Sequence, residues 1–65
     1  MRYVVLLDYT NGEVIKFKLS EEEAILASES NDFEVFLRTL ENTYNFRLDD
    51  CFWMIVTNLR ERSYL

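Results

Sequence analysis

Several residue types on which enzymes and metal sites depend are rare or missing in this chain of 65 residues. It contains no histidine and no proline, and it has one cysteine and one glycine. A single cysteine excludes an internal disulfide, and without histidine or a second thiolate a tetrahedral zinc site cannot be completed. One glycine excludes the glycine-rich loops that bind phosphates. We therefore expect no catalytic residues, no metal and no cofactor, and the chain is predicted not to be an enzyme.

The chain also lacks long hydrophobic runs and clusters of basic residues. No stretch approaches the roughly 20 apolar residues that cross a bilayer, so no membrane contact is expected. Nucleic-acid backbones are bound through clustered lysine and arginine, so direct nucleic-acid binding is not expected either. The lone Cys51 favours a reducing compartment and predicts a cytoplasmic location.

What the chain has in quantity is apolar surface and negative charge. Apolar residues make up 49% and aromatic residues 15% of the sequence, enough for one dense core in a single domain spanning residues 1–65. A domain of this size is near the limit of independent folding, and oligomerisation is one route to further stability. The net charge is −5, and residues 20–50 hold nine acids against two arginines, a net −7.

The N-terminal segment, residues 2–19, predicts a β-hairpin. Two runs rich in β-branched and aromatic residues flank Asn11-Gly12. This dipeptide favours a two-residue type I′ turn, because both central positions of that turn need a positive φ. Such a turn would place Thr10 opposite Glu13.

This register sorts the side chains by face, because opposed residues in a hairpin point to the same side. One face is an apolar core face that carries Val4, Leu6, Ile15, Phe17 and Leu19. The other, called the second face from here on, is apolar apart from two lysines and carries Tyr3, Val5, Leu7, Tyr9, Val14, Lys16 and Lys18.

Two helices are expected after the hairpin. Ser20 and Glu23 have the spacing of a capping box, which predicts a helix over residues 21–28. Asn31 is a competent N-cap, and apolar residues at helical spacing predict a second helix over residues 32–44. A single kinked helix through both segments is the alternative.

Residues 51–56 are apolar on both sides and predict a buried strand. The expected fold class is therefore α+β, a small β-β-α-α-β domain. Its three-stranded sheet consists of the N-terminal hairpin and the C-terminal strand, with the helices packed on one face. With two helices the third strand would pair parallel to the first, and with one fused helix antiparallel. Residues 59–65 are expected to fray or to form one more turn.

Two groups of side chains suggest chemistry, and both have a simpler explanation. Cys51 follows two aspartates, which raise a thiol pKa, so a small apolar side chain at the start of a strand is the better interpretation. Capping and solvation account for most of the glutamates. Four acids are nevertheless predicted to form a surface for a basic partner: Glu21, Glu22, Glu29 and Asp32.

The second face is predicted to be a protein interface. The first and third strands are apolar on both sides, whereas the helices can cover only one face. Apolar patches beyond a few hundred Å² seldom stay exposed on monomers. The predicted contact residues are Tyr3, Val5, Leu7, Tyr9, Val14 and Trp53. Alternatively, the lysine stems, the first helix or the tail shield this face within the monomer.

The predicted function is that of a small acidic non-catalytic protein-interaction module. It would be an inhibitor or accessory factor that forms a homodimer, or docks on a partner protein, through the second face. In its size, acidity and lack of any site the chain is similar in composition to phage-encoded inhibitors, such as anti-CRISPR proteins and DNA mimics. The alternative is a structural or stabilising subunit of a larger assembly.

Overall fold

The computed structural model describes residues 2–65 and confirms the predicted α+β class. Three strands, β1 (Tyr3–Asp8), β2 (Glu13–Lys18) and β3 (Cys51–Val56), form one sheet in the order β2-β1-β3, and both pairings are antiparallel. Between β2 and β3 lie α1 (Glu21–Glu29), α2 (Phe33–Thr39), α3 (Glu41–Tyr44) and a 3₁₀ turn at Leu48–Asp50. The central position of β1 agrees with its two apolar sides.

The core lies between the sheet and the helices. Val4 and Leu6 of β1 and Leu37 of α2 are completely buried. The other buried apolar residues of this cluster are Leu19, Ala27, Phe36, Leu40, Phe46 and Leu48. All the helical segments that contribute to it cover the same side of the sheet, so the second face has no helical layer.

The hairpin register differs from the predicted one by two residues. Asp8 pairs with Glu13, so the loop has four residues instead of two, and Asn11 has no positive φ as a type I′ turn requires. The reason is Asp8, whose carboxylate accepts hydrogen bonds at 3.0 Å from the backbone N–H groups of Thr10 and Asn11 and at 2.8 Å from the Asn11 side chain. A shift of two leaves every side chain on its predicted face.

The helix starts show one prediction confirmed and one wrong. Ser20 and Glu23 form both hydrogen bonds of the capping box. The N-cap of α2 is Asp32 and not Asn31, because the Asp32 carboxylate accepts from the Glu34 N–H at 2.9 Å. The expected helix over residues 32–44 is divided at Leu40 into α2 and α3.

We predicted the direction of β3 from the number of helices between β2 and β3, and that prediction was wrong. The helices are separate, yet β3 runs antiparallel to β1. Lys18 pairs with Tyr3 and Cys51 pairs with Asp8, so the chain between β2 and β3 travels once along the sheet. The number of helices did not determine the direction of β3. After α2 the chain continues through α3 and the 3₁₀ turn, and these segments lead to the end of the sheet at which β3 begins.

Asp8 also makes the fold sensitive to acid. Hydrogen bonds to its carboxylate lower the pKa of Asp8. The largest effect comes from the Asn11 side chain and the next from the backbone N–H of Asn11. A carboxyl whose pKa is lower in the folded state stabilises the fold above its unfolded pKa of about 4, and this contribution is lost as the pH falls through the folded value. We expect the urea midpoint to fall between about pH 5 and pH 2, and to fall less in Asp8→Asn.

The control for this measurement is Glu29→Gln, which removes an exposed carboxylate that forms no hydrogen bond in the part of the chain described. It should keep the acid sensitivity of the native chain. Equal pH dependence in Asp8→Asn and the native chain would contradict the role given to Asp8.

Candidate interface on the second sheet face

The strand register brings apolar side chains from all three strands together on the second face, near the hairpin loop. Leu7 on β1 lies between Val14 on β2 and Phe52 on β3. Met54 pairs with Val5 one step further along the sheet. Alternate residues of paired strands share a face, so these side chains point away from the helices.

Five large side chains of the second face, including Tyr9 just after β1, remain largely exposed and are called the open patch. They are Leu7 (48% exposed), Tyr9 (60%), Val14 (60%), Phe52 (69%) and Met54 (46%). A shallow apolar depression of about 160 Å³ is lined by Leu7, Phe52 and Met54 of the patch together with Val5 and Trp53.

Tyr9 is held in the open patch by hydrogen bonds at both ends of the residue. Its hydroxyl donates to the Asp49 carbonyl at 2.9 Å, and its backbone N–H donates to the Asp50 carbonyl at 3.1 Å. Its ring centroid lies 5.2 Å from that of Phe52 in a tilted arrangement. The Tyr9 side chain is therefore held in position, which lowers the entropy that it loses on binding.

The structure places Trp53 on the opposite side of the sheet from the other predicted interface residues. It pairs with Leu6, whose side chain is in the core, and its ring packs 5.3 Å from Phe33 of α2. The second face instead receives Phe52 and Met54, which the predicted set lacked. Because β3 is apolar at every position, its sequence shows no alternation of polar and apolar residues. It therefore does not predict on which face of the sheet each side chain lies.

The residues of the predicted interface at the other end of the sheet are partly covered. Tyr3 is half-buried, and the Lys18 ammonium lies 5.7 Å from the centre of its ring. Val5 is only 7% exposed. Val5 lines a groove together with residues 59–63 of the tail, residues 57–65, which forms neither a helix nor a strand.

The predicted acidic residues lie on the helical layer. Glu21 and Glu22 occupy the first turn of α1, Glu29 its last position, and Asp32 caps α2; all four are exposed. Within residues 2–65, none of them takes part in an ion pair. Negative charge is therefore concentrated on the side of the molecule that faces away from the open patch.

Cys51 is half-buried at the start of β3. Burial raises the pKa of its thiol, and the nearby carboxylate of Asp8, its partner in the sheet, raises that pKa further. The thiol is therefore protonated at neutral pH, whereas a cysteine nucleophile must be a thiolate.

No group of three or more cysteine, aspartate or glutamate side chains in residues 2–65 is arranged to hold a metal ion. No helix in this range has the length and apolar character required to cross a membrane.

Comparison with known proteins indicates no function for this chain, so the function is inferred from the geometry of the second face. No family model, no curated protein and no solved structure matches this chain.

Proposed function

We propose that this chain is a non-catalytic protein-interaction module, of the inhibitor or accessory type, that forms a homodimer through the open patch. The observation that carries the proposal is the exposure of Leu7, Tyr9, Val14, Phe52 and Met54 on one side of the sheet, all between 46% and 69%. A second copy of the sheet would cover these side chains as the helices cover the other face.

Charge disfavours a dimer in which two copies meet through their helical layers. The segment that forms the helices, residues 20–50, has a net charge of −7, so contacts between two helical layers are repulsive. Packing second face against second face puts the two acidic layers on the outside of the dimer. On the face itself, Lys16 is paired with Glu61 of the tail.

The area of the patch predicts a weak dimer. The exposed parts of the Tyr9 and Phe52 rings amount to on the order of 250 Å², and the three other side chains bring the patch to on the order of 500 Å² per copy. Stable complexes bury about 800 Å² per partner. We therefore expect a dissociation constant on the order of 100 µM, in the range of transient interactions.

The test is a concentration series of the native chain by sedimentation equilibrium, with ¹⁵N NMR spectra at the same concentrations. The mass should rise from 7.9 kDa towards twice that value. Amide signals of Leu7 and Phe52 should shift with concentration. Signals of Leu26 and Val35, which are 57% exposed on the helical layer, should not.

A mass that stays at 7.9 kDa up to about 1 mM, roughly ten times the expected dissociation constant, would refute the homodimer. Concentration-dependent shifts centred on Leu26 and Val35 would place self-association on the helical layer, against the proposal.

The module acts in the cytoplasm, where the unpaired thiol of Cys51 stays reduced.

A further inference from the structure

The tail borders the second face next to the open patch. After the bend at Thr57 and Asn58, residues 59–63 lie beside the sheet and form one wall of an open groove of about 530 Å³. The floor of the groove is formed by Val5, Val14, Lys16 and Met54. Leu59 is half-buried there, and Val5, below the tail, is 7% exposed while Leu7 on the same strand is 48% exposed.

Few interactions hold the tail in this position. The Glu61 carboxylate forms an ion pair with the Lys16 ammonium, and both side chains are about half exposed, at 56% and 44%. Exposed ion pairs of this kind contribute little to stability. Within residues 2–65, no backbone hydrogen bond joins the tail to the sheet or to the helices. The tail is therefore among the segments that open most readily.

The position of the tail is incompatible with close packing of a second sheet over the whole face. Facing sheets pack about 10 Å apart, with their side chains interdigitated across that gap. The tail, as the wall of the groove above Val5 and Met54, occupies part of the space into which side chains of the second copy would fit. The tail and a second copy must compete for this end of the face.

We propose that the tail is a displaceable cover that limits self-association of the chain. This inference rests on the homodimer proposed above and concerns the regulation of the same surface. With the tail in place, two copies meet only through the open patch. With the tail displaced, Val5 and the rest of Met54 and Val14 join the contact, and the dimer tightens.

The size of the effect follows from the fraction of molecules in which the tail is displaced. For the contact that uses the whole face, both copies must have the tail displaced, so the apparent dissociation constant equals the intrinsic constant divided by the square of the competent fraction. If the tail is displaced in about one molecule in three, complete release should tighten self-association about tenfold.

The experiment compares two double variants of the full chain. Leu59→Ala/Glu61→Gln removes the apolar contact and the ion pair of the tail. Leu65→Ala/Glu29→Gln makes the same two kinds of change at exposed positions outside the groove. Sedimentation equilibrium gives the dissociation constant, and ¹⁵N relaxation of residues 59–65 reports whether the tail is released.

The cover is supported if the first variant shows a mobile tail and about tenfold tighter self-association while the second matches the native chain. A tail that stays ordered in the first variant overturns the proposal. So does a tail that is released without any change in an otherwise measurable dissociation constant, and the homodimer then stands. Absence of self-association in all three chains overturns the homodimer and, with it, the regulatory role, whatever the relaxation data show about the tail.

Discussion

Leu7→Lys should abolish self-association without unfolding the protein. Leu7 is at the centre of the open patch, between Val14 and Phe52, so a lysine there would bring an unpaired charge into the middle of the dimer contact. Burying such a charge costs several kcal/mol, and each 1.4 kcal/mol is a factor of ten in affinity. We expect the dissociation constant to rise at least a hundredfold, to about 10 mM or more.

The monomer itself should tolerate this substitution. Leu7 is 48% exposed and points away from the core, so the lysine ammonium can stay in water. The free energy of unfolding should change by about 1 kcal/mol or less. Urea denaturation measures the change in the free energy of unfolding, and sedimentation equilibrium measures the self-association of the same sample.

The control is Val35→Lys, which places the same charge on another exposed apolar residue. Val35 is 57% exposed on α2, in the helical layer that lies away from the open patch. It should leave the dissociation constant unchanged. If Leu7→Lys instead lowered stability by several kcal/mol and left the mass unchanged, the second face would be part of the monomer core and not a contact surface.

Leu37→Ala should have the largest effect on stability. Leu37 is completely buried and belongs to the cluster in which α2 packs against the sheet. Removing a buried leucine side chain costs about 3 kcal/mol, because the lost burial is combined with a cavity that the surroundings only partly fill. A domain of this length has a free energy of unfolding of about 3 to 10 kcal/mol, so a large fraction of the stability is lost.

Val35→Ala is the matched control for this measurement. It lies two residues earlier on the same helix but is 57% exposed, so its truncation removes little buried area. The expected change is about 0.5 kcal/mol or less. Similar urea midpoints for Leu37→Ala and Val35→Ala would show that α2 is not packed on the sheet as described.

The local features of the fold could be predicted from the sequence because short-range chemistry determines them. The capping box of Ser20 and Glu23 depends on residues three apart, and both of its hydrogen bonds are present. The face on which each side chain of β1 and β2 lies follows from alternation along the strand. It was therefore predicted correctly although the predicted register was wrong by two residues. The α+β class follows from the same local patterns.

Tertiary structure decided the features in which distant parts of the chain meet. Strand β3 is apolar at every position, so only its pairing with β1 determines that Phe52 and Met54 face away from the helices while Trp53 faces Phe33. The tail has no helical or strand pattern, and its place on the second face depends on contacts with residues more than 40 positions earlier, such as the ion pair of Glu61 with Lys16.

The absence of histidine, paired cysteines and glycine-rich loops is a property of the sequence alone, and it led to the expectation of a binding protein. Which apolar side chains stay exposed is not a property of the sequence alone. It depends on which side of β3 faces the helices and on how far the tail reaches across the sheet, because burial is set by what packs against a side chain. On the second face, the large apolar side chains that the structure leaves exposed are Leu7, Tyr9, Val14, Phe52 and Met54.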